Sequence, residues 1–510
     1  MSDADPAFAE GTALPTDAAV AVIGAGTMGA GIARVAAAAG HPVLLYDARE
    51  GAARDAVVSL TADLSRQVAR GKLSRDAAAA LTGCIRVLAT LAEAAPARLV
   101  IEAIVEELSA KRALFRELEE IVAADAILAT NTSSLSVTAL AGGLRRPERC
   151  VGIHFFNPAP LMKLVEIVRP LTASEAVVQT AFRTAQAWGK RALIVPSTPG
   201  FVVNRVARPF YAEALRTLAA PAGVADVDAA LTESGGFRMG PFGVMDLIGN
   251  DVNAAVTRSV FDAFAFERRF APSLAQQALV DAGWLGRKSG RGFYDYAPGA
   301  LPPGARDAAA GPRPSRIVVH GDLGVASPLC DLAAARGVTL QRVDSLEPSI
   351  DVDGVALRLT DGALAAEHSR VRPTVLFDLA LDYAACTRIV IGSADGDGDA
   401  AAAAAGFFQT LGKRVSILPD FPGLIVMRTV AALANEAAGM LAEGVSDDAI
   451  DLAMTLGTNY PLGPVSWARR IGWERLLTVL ENLSRVLGAE RYQPSLMLRR
   501  FALARPPSAA

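Results

Sequence analysis

The sequence has little excess charge and few cysteines, and each scarcity excludes a class of protein. Its 50 Lys and Arg against 53 Asp and Glu give no basic excess, and no basic run is interleaved with aromatic residues. The four cysteines, Cys84, Cys150, Cys330 and Cys386, are scattered without the spacing of metal or redox sites. We therefore expect a reduced, metal-free protein with no nucleic-acid partner.

Long apolar runs are also missing. Ala-rich stretches such as 400–405 are short and are flanked by Gly and Asp, so none has the length of a membrane span. Residues 1–5 (MSDAD) lack the basic and apolar regions of a signal peptide. We expect no membrane partner and a cytoplasmic location. The 510 residues, of which 52% are hydrophobic, suffice for several folded domains.

A glycine-rich turn lies in residues 18–33 (AAVAVIGAGTMGAGIA). A strand-like run ends at Ile23, and Gly24, Gly26 and Gly29 then fall in G-x-G-x-x-G spacing before a helical pattern. Gly24 permits the tight turn, Gly26 lets the backbone approach a pyrophosphate, and Gly29 allows close packing of helix on strand. Three glycines alone also fit a plain strand-to-helix turn without a ligand.

A second strand-like run strengthens the dinucleotide interpretation. It ends in Asp47, at the distance past Gly26 where an acid should bind the adenosine ribose hydroxyls. A carboxylate there repels a 2′-phosphate, which favours NAD over NADP. The nearby Arg49 keeps NADP open as an alternative.

A histidine and a glutamate stand out in residues 151–168 (VGIHFFNPAPLMKLVEIV). His154 is one of only four histidines, and Glu166 follows twelve residues later in another strand-like run. Oxidation of a secondary alcohol needs a base for the hydroxyl proton, and a carboxylate would fix the tautomer of a histidine base. A buried histidine with a satisfied hydrogen bond is the simpler alternative, and spacing does not show that the two residues touch.

The segments GAGTMG, VIEAIVE, NTSSLS, HFFNP, MKLVE and TPGFVVNR together resemble the L-3-hydroxyacyl-CoA dehydrogenases of fatty-acid β-oxidation. The resemblance runs from about residue 18 to Tyr296, with weaker echoes to the C-terminus. It implies NAD-dependent oxidation of an L-3-hydroxyacyl-CoA to a 3-oxoacyl-CoA, with His154 as base and Glu166 as its partner. It also implies that Ser133 contacts the substrate and that Asn204 orients the histidine and the thioester.

The resemblance carries over further contacts. The implied NAD contacts are Gly24, Gly26, Thr27, Met28, Gly29, Asp47, Glu106, Lys111, Ser133, Asn157 and Lys288. Lys72, in a break between two helical segments, is the implied contact of the coenzyme A phosphates, although a solvated surface lysine fits its position equally well.

We predict an α/β fold in which a Rossmann-type, doubly wound NAD domain is followed by an all-helical domain, a degenerate α/β domain and a second helical copy. Phe201–Leu218 is expected to form one long helix, with Asn204 near its start facing His154 across a cleft. The expected divisions are a flexible tail (1–17), the NAD domain (18–195), the helical domain (196–298), a linker (299–315), the degenerate domain (316–418) and the second helical domain (419–505).

The second helical copy is indicated by an ungapped repeat. Pro199-Gly200 recurs as Pro422-Gly423, and we call this shift along the chain the repeat offset. The repeat offset also relates Arg205 to Arg428 and Glu213 to Glu436. Residues 320–324 lack the glycine pattern, and Met427 stands where the first copy has Asn204. We therefore expect a structural role for the second half, and either a homodimer or a monomer whose helical domains form an internal pseudo-dimer.

Two other function classes fit parts of the pattern. Dehydrogenases of free β-hydroxy acids share the glycine turn but use a catalytic lysine where this chain has Asn204-Arg205. A non-catalytic structural descendant of the fold would have lost a catalytic residue. This chain keeps all four residues of the implied catalytic set, which are Ser133, His154, Glu166 and Asn204. The duplicated form resembles the bacterial enzymes of phenylacetate breakdown that act on 3-hydroxyadipyl-CoA. The sequence leaves the choice between this substrate and 3-hydroxybutyryl-CoA open.

Overall fold

The structure is a computed structural model that describes residues 11–218, 222–301 and 303–504. The chain divides into two compact units, with the division between Asn204 and Arg205. Among the described residues, no helix is both long enough and apolar enough to cross a bilayer. Within the same ranges, no cluster of three His, Cys, Asp or Glu side chains is arranged to hold a metal ion.

The first unit is built on an eight-stranded sheet. Its strands are β1 (Ala19–Ile23), β2 (Val43–Tyr46), β3 (Ile85–Val87), β4 (Ala97–Glu102), β5 (Ile127–Thr130), β6 (Cys150–Phe155), β7 (Leu164–Arg169) and β8 (Arg191–Pro196). They lie in the order β3-β2-β1-β4-β5-β6-β7-β8, and all neighbours are parallel except the antiparallel pair β6 and β7. The order reverses at β1, which confirms the Rossmann-type, doubly wound sheet.

Helices connect these strands and cover the sheet. They are α1 (Thr27–Ala38), α2 (Ala52–Ala69), α3 (Arg75–Gly83), α4 (Leu108–Ile121), α5 (Val137–Ala141), α6 (Glu175–Ala187) and α7 (Val203–Val206). The central strands are mostly apolar and buried, as expected of a parallel sheet covered on both faces, whereas the edge strand β3 has no buried residue. The carboxyl ends of β1, β2, β4 and β5 therefore meet at one edge, where ligands of such sheets bind.

The expected flexible tail is partly wrong. Residues 1–10 lie outside the described residues, but Leu14 is buried against the core of the first unit. Its amide donates a hydrogen bond of 2.9 Å to the Thr184 hydroxyl on α6. Residues 11–17 are thus anchored, because an apolar side chain among polar neighbours finds a place in the core.

The expected long helix 201–218 is also interrupted. Phe201 has a φ of 49° and belongs to a turn, α7 ends at Val206, and α8 begins at Arg208. Pro209 lies in the first turn of α8, and it has no N–H group to continue the hydrogen-bond ladder of α7. The break follows from this proline. Asn204 lies on α7, as expected of a position near a helix start.

The second unit contains two groups of helices. The first group is α8 (Arg208–Thr217), α9 (Val224–Ala229), α10 (Pro241–Ile248), α11 (Asn250–Ala263) and α12 (Leu274–Asp281). The second is α16 (Val426–Ala442), α17 (Asp447–Gly457), α18 (Pro464–Ile471), α19 (Trp473–Leu487), α20 (Ala489–Tyr492) and α21 (Leu496–Leu503). Residue 505, the last of the expected second helical domain, lies outside the described residues.

A seven-stranded sheet lies between these groups in the chain. Its elements are β9 (Ile317–His320), α13 (Pro328–Ala335), β10 (Gln341–Val343), β11 (Ser349–Val352), β12 (Val355–Leu359), α14 (Ala365–His368), β13 (Thr374–Phe377), β14 (Arg388–Ser393), α15 (Asp399–Thr410) and β15 (Arg414–Leu418). The order is β10-β9-β11-β12-β13-β14-β15, with β11 antiparallel to both of its neighbours.

The duplication extends to individual hydrogen bonds. Asp228 accepts from the amides of Phe242 and Gly243 at the start of α10, at 3.0 and 2.9 Å. Asp451, its counterpart at the repeat offset, accepts in the same way from the first amides of α18, at 2.8 Å each. Both carboxylates thus cap a helix N-terminus, and they stabilise the corresponding helices α10 and α18 of the two copies.

Candidate active site

His154 and Glu166 lie in contact on adjacent antiparallel strands. The register of β6 and β7 places the two residues directly opposite each other. His154 Nδ1 lies 2.7 Å from Glu166 Oε2, and both side chains are buried. A pair that the chain separates by twelve residues therefore forms one hydrogen-bonded unit.

This contact sets the protonation pattern of the imidazole. An ionised carboxylate can only accept, so the Nδ1 atom carries the hydrogen and Nε2 is the nitrogen that can take up a proton. The rings of Phe156 and Phe201 pack on the imidazole, with centroids 4.5 and 5.6 Å away. The aromatic rings hold the imidazole plane while the carboxylate fixes its rotation.

The other oxygen of Glu166 connects the pair to the start of α7. Glu166 Oε1 accepts from the amides of Val202 and Val203, at 3.0 and 3.1 Å. Each oxygen of this buried carboxylate therefore has a donor, which offsets the cost of burying the charge. The next residue, Asn204, donates from Nδ2 to the backbone oxygen of Ser133, at 3.3 Å.

Ser133 lies in a loop that a second carboxylate organises. Glu106 Oε1 accepts from Thr132 Oγ1 at 2.5 Å, from the Ser133 amide at 3.0 Å and from both the amide and hydroxyl of Ser134, at 3.2 and 3.0 Å. Burial raises the pKa of Glu106, but the charge of Lys111 and these hydrogen bonds outweigh that effect and lower the pKa. Glu106 thus stays ionised and fixes the loop that carries the Ser133 hydroxyl.

Lys111 lies beneath this loop in a fully buried position. Its Nζ atom is 2.6 Å from Glu102 Oε1 and 3.2 Å from Glu106 Oε2. Glu102, at the end of β4, also accepts from Thr130 Oγ1 at 2.7 Å and has no exposed surface. Glu102 was not predicted as a site residue, although a charged residue within an otherwise apolar strand was a usable signal. Lys111 therefore stabilises the Glu106 carboxylate through this ion pair. Only 1% of the Lys111 surface is exposed.

The glycine turn has the space and the donors that a dinucleotide needs. A methyl group on Gly29 would lie 1.7 Å from the Gly24 oxygen, so this position admits only glycine. A methyl group on Gly26 would meet nothing within 4 Å and would project into open space at the N-terminus of α1. No side chain caps that N-terminus and its first turn contains no acid, so its amides are available to an anion.

Asp47 closes the nucleotide side of the turn. Its carboxylate accepts from the amides of Ala25 and Arg49, at 2.8 and 2.9 Å. Partial burial raises its pKa, but these amides and the Arg49 side chain outweigh that effect and lower the pKa. Asp47 is therefore an anion at the end of β2. The open glycine turn and this anion together fit NAD.

The remaining expected contacts are more exposed. Met28 packs partly against the core at the start of α1, and Thr27 is exposed at the same helix end. Asn157 is exposed just beyond β6, and Lys72 is exposed between α2 and α3. In the second unit, Lys288 Nζ lies 2.6 Å from Asp251 Oδ1, so a cofactor would have to compete with this ion pair.

The second sheet lacks an equivalent of the His–Glu pair. At the end of β13, Asp378 accepts from the amides of Ile425, Val426 and Met427 in the chain before α16, at 2.9, 2.7 and 2.9 Å. Ile425 and Val426 are the counterparts of the two residues that donate to Glu166 in the first half. Asp378 thus keeps the contacts with backbone amides that Glu166 makes in the first half. Among the described residues, no histidine contacts Asp378.

Comparison with known proteins places this geometry in a family. The model of the 3-hydroxyacyl-CoA dehydrogenase NAD binding domain matches residues 19–198, and that of the C-terminal domain matches twice, at 200–296 and 423–508. A third model, the 3-hydroxybutyryl-CoA dehydrogenase reduced Rossmann-fold domain, matches residues 357–422. A 3-hydroxyadipyl-CoA dehydrogenase of Escherichia coli strain K12 is 44% identical over 492 residues, which cover 95% of this chain and 97% of that protein.

The chain belongs to the 3-hydroxyacyl-CoA dehydrogenase family. The crystal structure of a 3-hydroxybutyryl-CoA dehydrogenase from Escherichia coli K12 matches with a TM-score of 0.85 and 42% identity, covering 96% of this chain and 99% of that one. A 3-hydroxybutyryl-CoA dehydrogenase of Bradyrhizobium diazoefficiens is 38% identical over 284 residues, which cover 56% of this chain and 96% of that protein. Relatives of the family therefore occur with and without the second half.

Membership in this family settles the class of reaction. The chain is an NAD-dependent 3-hydroxyacyl-CoA dehydrogenase, and its substrates are acyl-CoA thioesters. A dehydrogenase of free β-hydroxy acids, the first alternative from the sequence, does not fit this membership.

Proposed function

We propose that the chain oxidises the 3-hydroxyl of 3-hydroxyadipyl-CoA, with His154 as the catalytic base. The contact between His154 and Glu166 carries the chemical part of this proposal, because it leaves Nε2 as the proton acceptor. As the hydroxyl loses its proton to Nε2, the electron pair of the O–H bond forms the carbonyl, and a hydride leaves the same carbon. Glu166 stabilises the imidazolium that results.

NAD⁺, when bound, supplies the acceptor for that hydride. The open space at Gly26 and the amides at the N-terminus of α1 would hold its diphosphate, and Asp47 would accept hydrogen bonds from its adenosine ribose. Glu106 would hold the Ser133 loop beside the reacting groups. Lys111 then acts through Glu106, since its burial keeps it from wide contact with a ligand.

Ser133 and Asn204 are the proposed substrate contacts. The Ser133 hydroxyl lies on a loop that Glu106 fixes through the Ser133 amide, and Asn204 is hydrogen-bonded to the same loop. Two polar groups that a hydrogen bond holds at a fixed separation can orient the thioester and the hydroxyl, and correct orientation supplies a large part of the rate enhancement. Lys72 stays the proposed contact of the coenzyme A phosphates.

The proposed acyl group rests on similarity over both halves of the chain. The relative that is 44% identical over 95% of the chain is a 3-hydroxyadipyl-CoA dehydrogenase, whereas a similar long structure is described as a 3-hydroxybutyryl-CoA dehydrogenase. The test is the ratio of kcat/KM for the two substrates. We expect 3-hydroxyadipyl-CoA to be preferred by about tenfold or more, the effect of one favourable contact to its terminal carboxylate. Equal values, or a preference for 3-hydroxybutyryl-CoA, would contradict this substrate.

We also propose that the two helical domains act as an internal pseudo-dimer. Arg205 of the first copy pairs with Glu436 of the second at 3.3 Å, and Arg428 of the second pairs with Glu213 of the first. These four residues are two pairs that the repeat offset makes equivalent, so the contacts are reciprocal, as in an interface with two-fold symmetry. All four side chains are buried.

Asp378, which binds backbone amides instead of a histidine, supports one active site per chain. The reciprocal contacts leave any further association to other surfaces. Sedimentation analysis of the full-length protein tests this proposal, with a monomer as the expected result. A dimer that dissociates on substitution of Arg205 would contradict it. A role in phenylacetate breakdown and a cytoplasmic location stay predictions of the sequence.

A further inference from the structure

A cleft lies at the carboxyl ends of β9 and β10 in the second sheet. It has a volume of about 710 Å³. Its polar lining consists of Gly321, Asp322, Ser327, Arg342, Asp344 and Ser345. Strands β9 and β10 are parallel, and the crevice outside the carboxyl ends of parallel strands is where α/β sheets bind ligands. Neither the proposed reaction nor the paired helices use this cleft.

The backbone around this cleft repeats the nucleotide turn of the first unit. The Gly24 amide donates to the Tyr46 oxygen at 2.8 Å, and the Gly321 amide donates to the Val343 oxygen at 2.9 Å, with the same spacing between donor and acceptor along the chain. Both glycines have a positive φ, 102° and 62°. When the two glycines are aligned, helices α1 and α13 also end at corresponding residues, Ala38 and Ala335. The strand–turn–helix–strand segment therefore keeps its geometry although the glycine pattern is lost.

One ligand-binding residue of this segment is retained. Asp344 follows β10 just as Asp47 follows β2, and the alignment of the two turns places these acids at the same position. An acid at this position of a dinucleotide fold accepts hydrogen bonds from the two hydroxyls of a ribose. Asp344 is exposed and lines the cleft, so its carboxylate can reach a ligand there.

The diphosphate part of the site is lost. Leu323 stands in place of Gly26 and is buried in the core of the second sheet, so the close backbone approach that a glycine allows is lost. Gly324–Ala326 form a short 3₁₀ turn where α1 has its first turn, and its first amide, that of Gly324, donates to Asp322 Oδ1 at 2.8 Å. Helix α13 then begins at Pro328, which has no N–H group. With the glycine replaced and the leading amide of the turn already bound to a carboxylate, the segment has lost the donors that hold a diphosphate.

We propose that this cleft binds a purine ribonucleoside, of the adenosine class, through hydrogen bonds from the ribose hydroxyls to Asp344. Leu346 is a fully exposed apolar side chain at the cleft, and it offers a surface for the face of the base. The Arg342 guanidinium also lines the cleft, and its plane can stack on a purine. Because Leu323 replaces the glycine and the Asp322 carboxylate already occupies the turn, the cleft discriminates against the diphosphate of NAD and admits the nucleoside alone.

Equilibrium dialysis of the full-length protein with labelled adenosine tests this site. Saturating NADH is present throughout, so that the first nucleotide site is occupied. We expect one adenosine bound per chain. Because a hydrogen bond to a charged group contributes about tenfold or more in affinity, 2′-deoxyadenosine should bind correspondingly more weakly.

Two substitutions localise the binding. Asp344→Asn should weaken adenosine binding by about tenfold and remove most of the preference over 2′-deoxyadenosine. Asp331→Asn, the same change on an exposed residue of α13 outside the cleft, should alter neither value. No adenosine binding beside NADH would overturn the proposal. So would binding to the unaltered protein that does not distinguish the deoxynucleoside, or binding that Asp344→Asn leaves unchanged in a variant with the thermal stability of the parent.

Discussion

Replacement of Glu166 by Gln removes one charge and leaves the shape of the site almost unchanged. In the structure, Oε1 of this residue accepts from the amides of Val202 and Val203, while Oε2 faces His154 Nδ1 at 2.7 Å. A glutamine has one oxygen and one NH₂ group at these two places. The two backbone donors hold the amide oxygen on their side, because the NH₂ group cannot accept from them. The NH₂ group is therefore directed at His154 Nδ1.

This orientation reverses the tautomer of the imidazole. Nδ1 must now accept, so the ring hydrogen moves to Nε2, the nitrogen that has to be empty to take the substrate proton. A positioned base contributes roughly 10²- to 10⁴-fold, and a wrong tautomer removes that contribution. We expect kcat of Glu166→Gln to fall by about 10² to 10⁴, which corresponds to roughly 3–5 kcal/mol of barrier height. His154→Gln should have an effect in the same range.

The assay is steady-state oxidation of an L-3-hydroxyacyl-CoA with NAD⁺, together with a separate titration of NADH binding. NADH affinity should be nearly unchanged in both variants, since neither residue forms the glycine turn. The pH–rate profile of Glu166→Gln should also shift, because the imidazolium loses its countercharge. The matched control is Asp378→Asn, which changes a buried carboxylate whose two oxygens both accept from backbone amides and which contacts no histidine. Its NH₂ group faces two of these amides, so the variant should lose stability, but the folded protein should keep parental kcat. A Glu166→Gln enzyme within about fivefold of the parental kcat would refute the tautomer argument.

Three further predictions concern cofactor choice, the second half and pH. The unaltered enzyme should have a higher kcat/KM with NAD⁺ than with NADP⁺. Asp47→Ser should reduce this difference in kcat/KM by weakening NAD⁺ binding. Equal kcat/KM values for the two cofactors in the unaltered enzyme would contradict the role of Asp47. Truncation from about residue 311 should uncover the face that carries Arg205 and Glu213, so that sedimentation detects aggregation or a new dimer. A soluble, monomeric and fully active truncated protein would exclude the internal pseudo-dimer. Burial raises the pKa of Asp378 from its ordinary 3.8 to about 6. Its contribution to stability is therefore complete below about pH 4 and is lost as the pH rises through 6. Between pH 4 and pH 6 the free energy of unfolding of the unaltered protein should fall by about 3 kcal/mol relative to that of Asp378→Asn. If the free energies of unfolding of the two proteins changed in parallel from pH 4 to 7, this prediction would be wrong.

The features that the sequence predicts well are those that depend on neighbouring residues or on a repeated pattern. The glycine turn, the strand before it and Asp47 follow from local spacing, and the constant repeat offset identifies the repeated helices. The contact between His154 and Glu166 depends instead on the register of β6 with β7, and no spacing rule specifies which residues of two antiparallel strands lie opposite each other. The family resemblance supplied that pair.

Burial accounts for what the sequence did not predict in the site. The predicted cofactor contact of Lys111 stays a prediction, but the sequence did not reveal that its charge lies beneath the surface between Glu102 and Glu106. Two carboxylates that share one buried ammonium are brought together by the packing of α4 on the sheet, and local spacing does not reveal such packing. The break at Pro209 was available in the sequence, but the apolar pattern around it outweighed the proline in our prediction.

The reciprocal pairs between the two helical copies have a consequence for how this interface can evolve. In a homodimer, one substitution changes both symmetric halves of the interface together. Here each position is encoded twice, so the two halves can diverge independently. They have done so at the positions of Arg269 and Tyr492, which are related by the repeat offset: Arg269 pairs with Glu436, and the Tyr492 hydroxyl donates to Glu213. The two helical copies can therefore change independently, as the two subunits of a heterodimer can, while the covalent link keeps them in equal amounts.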